Sequence, residues 1–278
     1  MSDGLGSELA KQVGKPLYQD AIGPGAVEVG KSLATIGKTV NVLLAPLRAM
    51  VWGSEALEAW LNTRVAEKLA ARKAVEIKSP DPRVAVPALS HVRLCEEEPA
   101  LQDMFASLLA ASMDASSASR VHPSYVEVLR QCSTLDAQVL LLFCKRKHHP
   151  AIKPLIVNNS DPNVVRFPAP PGWRIDPGQF FAFPDLLKLA GEAIPASIDN
   201  LSRLGVLAVR EGVVHVFDAE YIEVRNAETV REAVAVLRNQ LAGHPDGKLV
   251  TLECAISLTS FGFGFVELLG PPEDPKGS

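Results

Sequence analysis

Aromatic residues make up only 6% of the chain, and cysteine is scarcer still at four in 278 residues. None of Cys95, Cys132, Cys144 and Cys254 is part of a CxxC pair, which excludes a thioredoxin-type redox motif and a zinc ribbon. Each lies in an apolar context where cysteine behaves as a small hydrophobe, so reduced, buried thiols are expected. Long hydrophobic runs are also missing. The longest uncharged stretch, Cys254 to Val266, is thirteen residues, short of the roughly 20 apolar residues a spanning helix needs. The opening MSDGLGSELAKQ lacks the basic start and apolar core of a secretory signal. Together these absences predict a cytoplasmic protein. No charge dominates either: the net charge of −4 provides no general attraction to nucleic-acid phosphate or anionic lipid. A phosphate-cradling glycine loop, a GxSxG elbow and an HExxH pair are all absent, and no cofactor or metal is expected.

What the chain has is length and apolar content, with 47% hydrophobic residues, enough for two domains with cores of their own. Residues 1–150 carry 17 Lys/Arg against 16 Asp/Glu, and residues 151–278 carry 11 against 16, so the acidity belongs to the second half. From Val29, apolar residues recur at Leu33, Ile36, Val40, Leu43, Leu44, Leu47 and Val51, filling one arc of a helix with Lys31 and Lys38 opposite. Pro46 should kink or divide that helix. Ser54 reads as the N-cap of a second helix striped by Leu57, Leu61, Val65 and Leu69 and ending near Lys73. The three prolines of SPDPRVAVP (79–87) predict an extended connection before a short helix through Leu89, Val92 and Leu94. Pro99 suits the first position of the next helix, buried through Leu101, Met104, Phe105, Leu108 and Leu109. His122 and Pro123 open another, and Ser133 with Asp136 fits a capping box for the one after. The sum is an irregular bundle of about six helices.

Between His149 and Pro184, APP, PPG and DPG interrupt any period, which predicts a Pro-rich linker or ordered loop. Beyond it, 183–192 and 195–205 read as helices, the second stopped by Gly205, and VLAVREGVVHVF (206–217) reads as two strands around Glu211 and Gly212. That order resembles a winged helix. A helix from Glu228 to Leu241 follows, then a strand pair from Leu249 to Val266 around the glycines of LTSFGFGF. The expected fold is therefore mainly α: a helical domain over 1–148, a linker over 149–182, a small α+β winged-helix-like domain over 183–269, and a disordered tail over 270–278.

Candidate chemistry is sparse. A recognition helix would be PASIDNLSR (195–203), but from Phe183 to Arg225 four basic residues face seven acidic ones, which argues against DNA and for a protein partner. Arg238 and His244, with five residues between them, are similar to the Rx4-6H signature of HEPN ribonucleases, which implies His244 as general acid or base and Arg238 on the scissile phosphate. A surface histidine in the turn GHPDG accounts for the same residues. His91 and Cys95 share a helix face, half of a metal site with no second pair. Glu96, Glu97 and Glu98 read as a solvated helix start before Pro99, and Lys145 to His149 as cations complementing a helix C-terminus. Lys31, Lys38, Arg48 and Trp52 offer a surface for a partner or a membrane interface, while burial of the same helix in the bundle explains its stripe.

The stretches GKSLATIGKTVNVLLAPLRAMVWG (30–53), LQDMFASLLAASMD (101–114) and VHPSYVEVLRQCSTLDAQVLLLF (121–143), with LTSFGFGF more weakly, resemble the Abi-alpha family of bacterial proteins. The resemblance implies a role in abortive infection, the self-sacrificing defence against bacteriophage, and implies no chemistry. The expected function is a non-enzymatic interaction protein that senses or relays infection through a phage or host protein. The alternative is an RNase-like or membrane-perturbing effector, peripheral at the inner membrane.

Overall fold

The computed structural model describes residues 24–48, 55–95, 97–158, 174–175, 181–182, 194–211, 218–243 and 247–270. The structure is mainly helical with an antiparallel sheet, as expected, and its contacts separate two compact units. Residues up to Leu94 together with Phe105–His122 form one, and Cys95–Met104 with Pro123 onward form the other.

In the first unit, α1 (Pro24–Arg48) runs beside α2 (Glu55–Lys68) and reaches α3 (Pro82–Val92). Ile36, Val40, Leu44 and Leu47 recur at helical spacing and are buried, as are Leu61, Val65 and Leu69 on the facing side of the pair. Pro46 does not divide α1, which continues to Arg48. Pro46 and Val42, whose carbonyl the missing amide would have served, are both exposed, so water can take its place. The expected cap at Ser54 lies outside the described residues.

The extended connection expected over 79–87 is a correction: α3 already begins at Pro82. Asp81 caps it by accepting from the Arg83 amide at 2.8 Å, and Pro82 occupies a first-turn position that needs no amide donor. Leu94, expected within this helix, lies past its end in a 3-10 turn, Arg93–Cys95, and is exposed. Helix α4 (Pro99–Met113) contributes its start to the second unit and its remainder to the first. Its residues Leu101 to Met113 are buried on nearly every side, with Gln102, Ser107 and Ser112 included, as befits a helix that is apolar all round. At its end Asp114 accepts from Arg72 Nε at 2.8 Å and from the Ser116 amide and hydroxyl at 2.9 and 2.8 Å.

The second unit continues with α5 (Ser124–Arg130) and α6 (Thr134–Lys145). The capping box is present: the Asp136 amide donates to Ser133 Oγ at 3.2 Å, and the Ser133 amide donates to the Asp136 carboxylate at 2.7 Å. The largest correction follows immediately. Residues 149–158, expected to belong to a Pro-rich linker or ordered loop, are part of β1 (His148–Asn158), the strand on which the sheet is built. β1 pairs with β5 (Gly247–Leu258) along its whole length, from His148 with Ser257 to Asn158 with Gly247. On its other side two short strands, β2 (Arg174–Ile175) and β3 (Phe181–Ala182), pair at 156–157 and 151–152. Pro150 and Pro154 fall outside both short pairings, where a missing amide costs no ladder bond on that side.

β4 (Leu207–Glu211) pairs antiparallel with β5, giving the order β2-β1-β5-β4 with β3 also on β1. The hairpin expected within 206–217 would need a partner at 213–217, outside the described residues; the partner β4 does have is β5. Helices α7 (Ile194–Arg203), α8 (Asp218–Asn226) and α9 (Glu228–Leu241) complete the sequence before α10 (Ser260–Leu269). α8 and α9 pack against β1, and α7 packs against α6 and β4.

The strand pair expected over 249–266 is a strand followed by a helix. Thr259 caps α10 by accepting from the Gly262 amide at 2.9 Å. Gly205, with φ of 76°, ends α7 as expected: its amide and that of Val206 return to the carbonyls of Ser202 and Leu201, both at 2.9 Å. The helix 183–192 and the tail from 271 lie outside the described residues.

Candidate functional site

The most elaborate polar cluster joins α6 to α7. The buried Asp136 carboxylate accepts from the Ser133 amide at 2.7 Å and hydroxyl at 2.9 Å, from Asn200 Nδ2 at 3.0 Å, and from the Ser197 hydroxyl. Three of these bonds fall on Oδ2 and one on Oδ1, so both oxygens of the carboxylate are engaged. Asn200 Nδ2 also donates to the Gln131 carbonyl at 3.0 Å, and Arg203 donates to the side-chain oxygens of Gln131 at 3.1 Å and Asn200 at 2.8 Å. Ser197, Asn200 and Arg203 are polar side chains with which a recognition helix over 195–203 would address DNA. Here they fasten α7 to the capping box of α6. Sequence reasoning identified Asp136 as a cap and missed its second role, for which the i, i+3, i+6 spacing of 197, 200 and 203 was the available signal.

Two ion pairs tie the sheet. Lys153 of β1 is buried, and its Nζ lies 3.1 Å from Glu211 Oε1 of β4, reaching past the intervening β5. Arg225 of α8 pairs with Glu253 of β5, and the buried Tyr221 hydroxyl donates to the Cys254 carbonyl at 3.0 Å. Neither pair was visible in the sequence, because the partners are 58 and 28 positions apart.

A third cluster surrounds α10. Tyr125 stacks on Phe265 at 5.1 Å between centroids and lies 4.9 Å from Phe261. Phe263 is half exposed, with Lys147 Nζ 5.5 Å from its ring centre. Of the basic run 145–149, Lys145 closes α6, Arg146 is its C-cap residue, and His149 is buried with its ring edge-on to Phe143 at 4.6 Å. The run thus begins at a helix C-terminus, where its cations complement the dipole.

The remaining candidates are dispersed. Arg238 is exposed on the last turn of α9, and His244 lies outside the described residues. Lys38 is exposed on α1; Trp52 and the side chains of Lys31 and Arg48 lie outside the described residues. His91 packs against Phe105 at 5.6 Å between rings. Among the described residues no group of three or more His, Cys, Asp or Glu could hold a metal ion, and no helix is long and apolar enough to cross a membrane.

None of the four cysteines is joined in a disulfide, and Cys95 and Cys254 are buried. Burial, reinforced by the nearby Asp136 charge, pushes Cys132 up to about 12. Burial likewise pushes Cys144 to about 11 despite Lys147, and raises Cys95, with Glu98 adding to the effect. Such thiols stay protonated and are poor nucleophiles at neutral pH.

Comparison with curated proteins and with solved structures gave no match. The family model for abortive infection alpha matches residues 53–269, covering α2 through α10, so the chain belongs to the abortive infection alpha family.

Proposed function

We propose that the chain acts in abortive infection, the bacterial defence against bacteriophage, as a non-enzymatic cytoplasmic protein that senses or relays infection by binding a phage or host protein. Membership of the abortive infection alpha family supports the cellular role. The observation that carries the non-enzymatic reading is the employment of three buried charged side chains among the described residues: Asp114 anchors Arg72, Asp136 joins two helices, and Lys153 bridges strands. These are scaffold tasks. The surface we assign to the partner is the one the sequence suggests, Lys31, Lys38, Arg48 and Trp52. On it Lys38 is exposed, and Val42, one turn further along, is 70% exposed.

The test is infection of cultures with and without the gene, scoring host survival and phage yield together. The gene should lower phage yield while infected hosts die. Lys38→Glu combined with Val42→Asp should abolish protection at an unchanged melting temperature, whereas His244→Ala should preserve it. Loss of protection in His244→Ala together with loss of RNA cleavage by the purified protein would overturn the reading in favour of a ribonuclease.

A further inference from the structure

No further inference is drawn: the strongest candidate, the half-exposed Phe263 ring beneath Lys147 at the start of α10, is an apolar face for which nothing in the structure shows what covers it.

Discussion

A Cβ at position 262 would stand 2.0 Å from the carbonyl oxygen of Val206 and 2.9 Å from its carbonyl carbon, so the first turn of α10 and the turn after α7 approach as only glycine permits. The Val206 carbonyl already accepts the Thr259 amide at 3.0 Å and has little room to retreat. Gly262→Ala should therefore cost about 3 kcal/mol or more, the range of a backbone clash in a packed interior. At Gly264 the nearest atom to an added Cβ is the Tyr125 hydroxyl at 2.8 Å, the far end of a side chain, and Gly264→Ala should cost less. Urea unfolding of both variants checks the order; equal midpoints would mean that the two glycines are not held by these contacts.

Removing the Asp136 carboxylate takes an acceptor from Ser133, Ser197 and Asn200, of which Asn200 keeps the Gln131 carbonyl. Asp136→Ala should destabilise by about 2 to 4 kcal/mol, combining a lost cap with stranded donors. Asp199, exposed on the same α7, is the control: Asp199→Ala should change stability by no more than about 0.5 kcal/mol. Similar losses from the two would contradict the polar junction.

What was legible in the sequence followed local chemistry. Ser133 with Asp136, Pro99 at a helix start and Gly205 at a helix end are signals complete within a few residues, and each stands where expected. What was hidden depended on distant partners. Pro150 and Pro154 disguise β1, because a proline in a strand is tolerable only where no ladder bond is due, and the strands that decide this lie at 174–175, 181–182 and 247–258. Gly262 and Gly264 disguise α10, since each glycine weakens a helix by about 1 kcal/mol, and the reason for them is at Val206 and Tyr125. The candidate site was less legible than the fold, because Asp136 and α7 meet across 61 positions.

Leu108 is fully buried in α4. Leu108→Asp should unfold the first unit, because a carboxylate there has no designed partner and its burial costs several kcal/mol. A calorimetric scan that keeps its melting temperature would show that the helix face is misassigned.

Burial opposes ionisation of Asp114, but hydrogen bonds from the Ser116 amide and hydroxyl and from Arg72 outweigh it and hold the carboxyl below its usual value. A depressed folded value contributes stability above the unfolded pKa, about 3.9, and loses it as pH falls through the folded one. Denaturant midpoints should drop below about pH 4, and Asp114→Asn should lose less over that acid range than the parent protein does. Identical acid slopes would remove Asp114 from the account.

For Cys132 and Cys144 the sign reverses. Raised to about 12 and about 11, these thiols favour the folded state below the unfolded value, near 9, and that contribution fades as pH rises toward the folded values. Alkylation by iodoacetamide at pH 7.5 should be slow for both in the native protein and rapid in denaturant. Fast native labelling of either would mean that its surroundings are more open than the structure shows.

The pairing of β1 with β5 has a consequence for synthesis. Its partners lie between about 90 and 110 positions apart along the chain, and pairings that close such long loops form late. β1 is translated well before its partner exists, and Ala151, Ile152, Leu155 and Ile156, all buried in the finished sheet, must wait for β5. A polypeptide arrested before Gly247 therefore carries an apolar strand with an open edge, the form most prone to pair with another chain. Newly made protein should depend on chaperones over that interval, and premature stop codons upstream of Gly247 should yield aggregates.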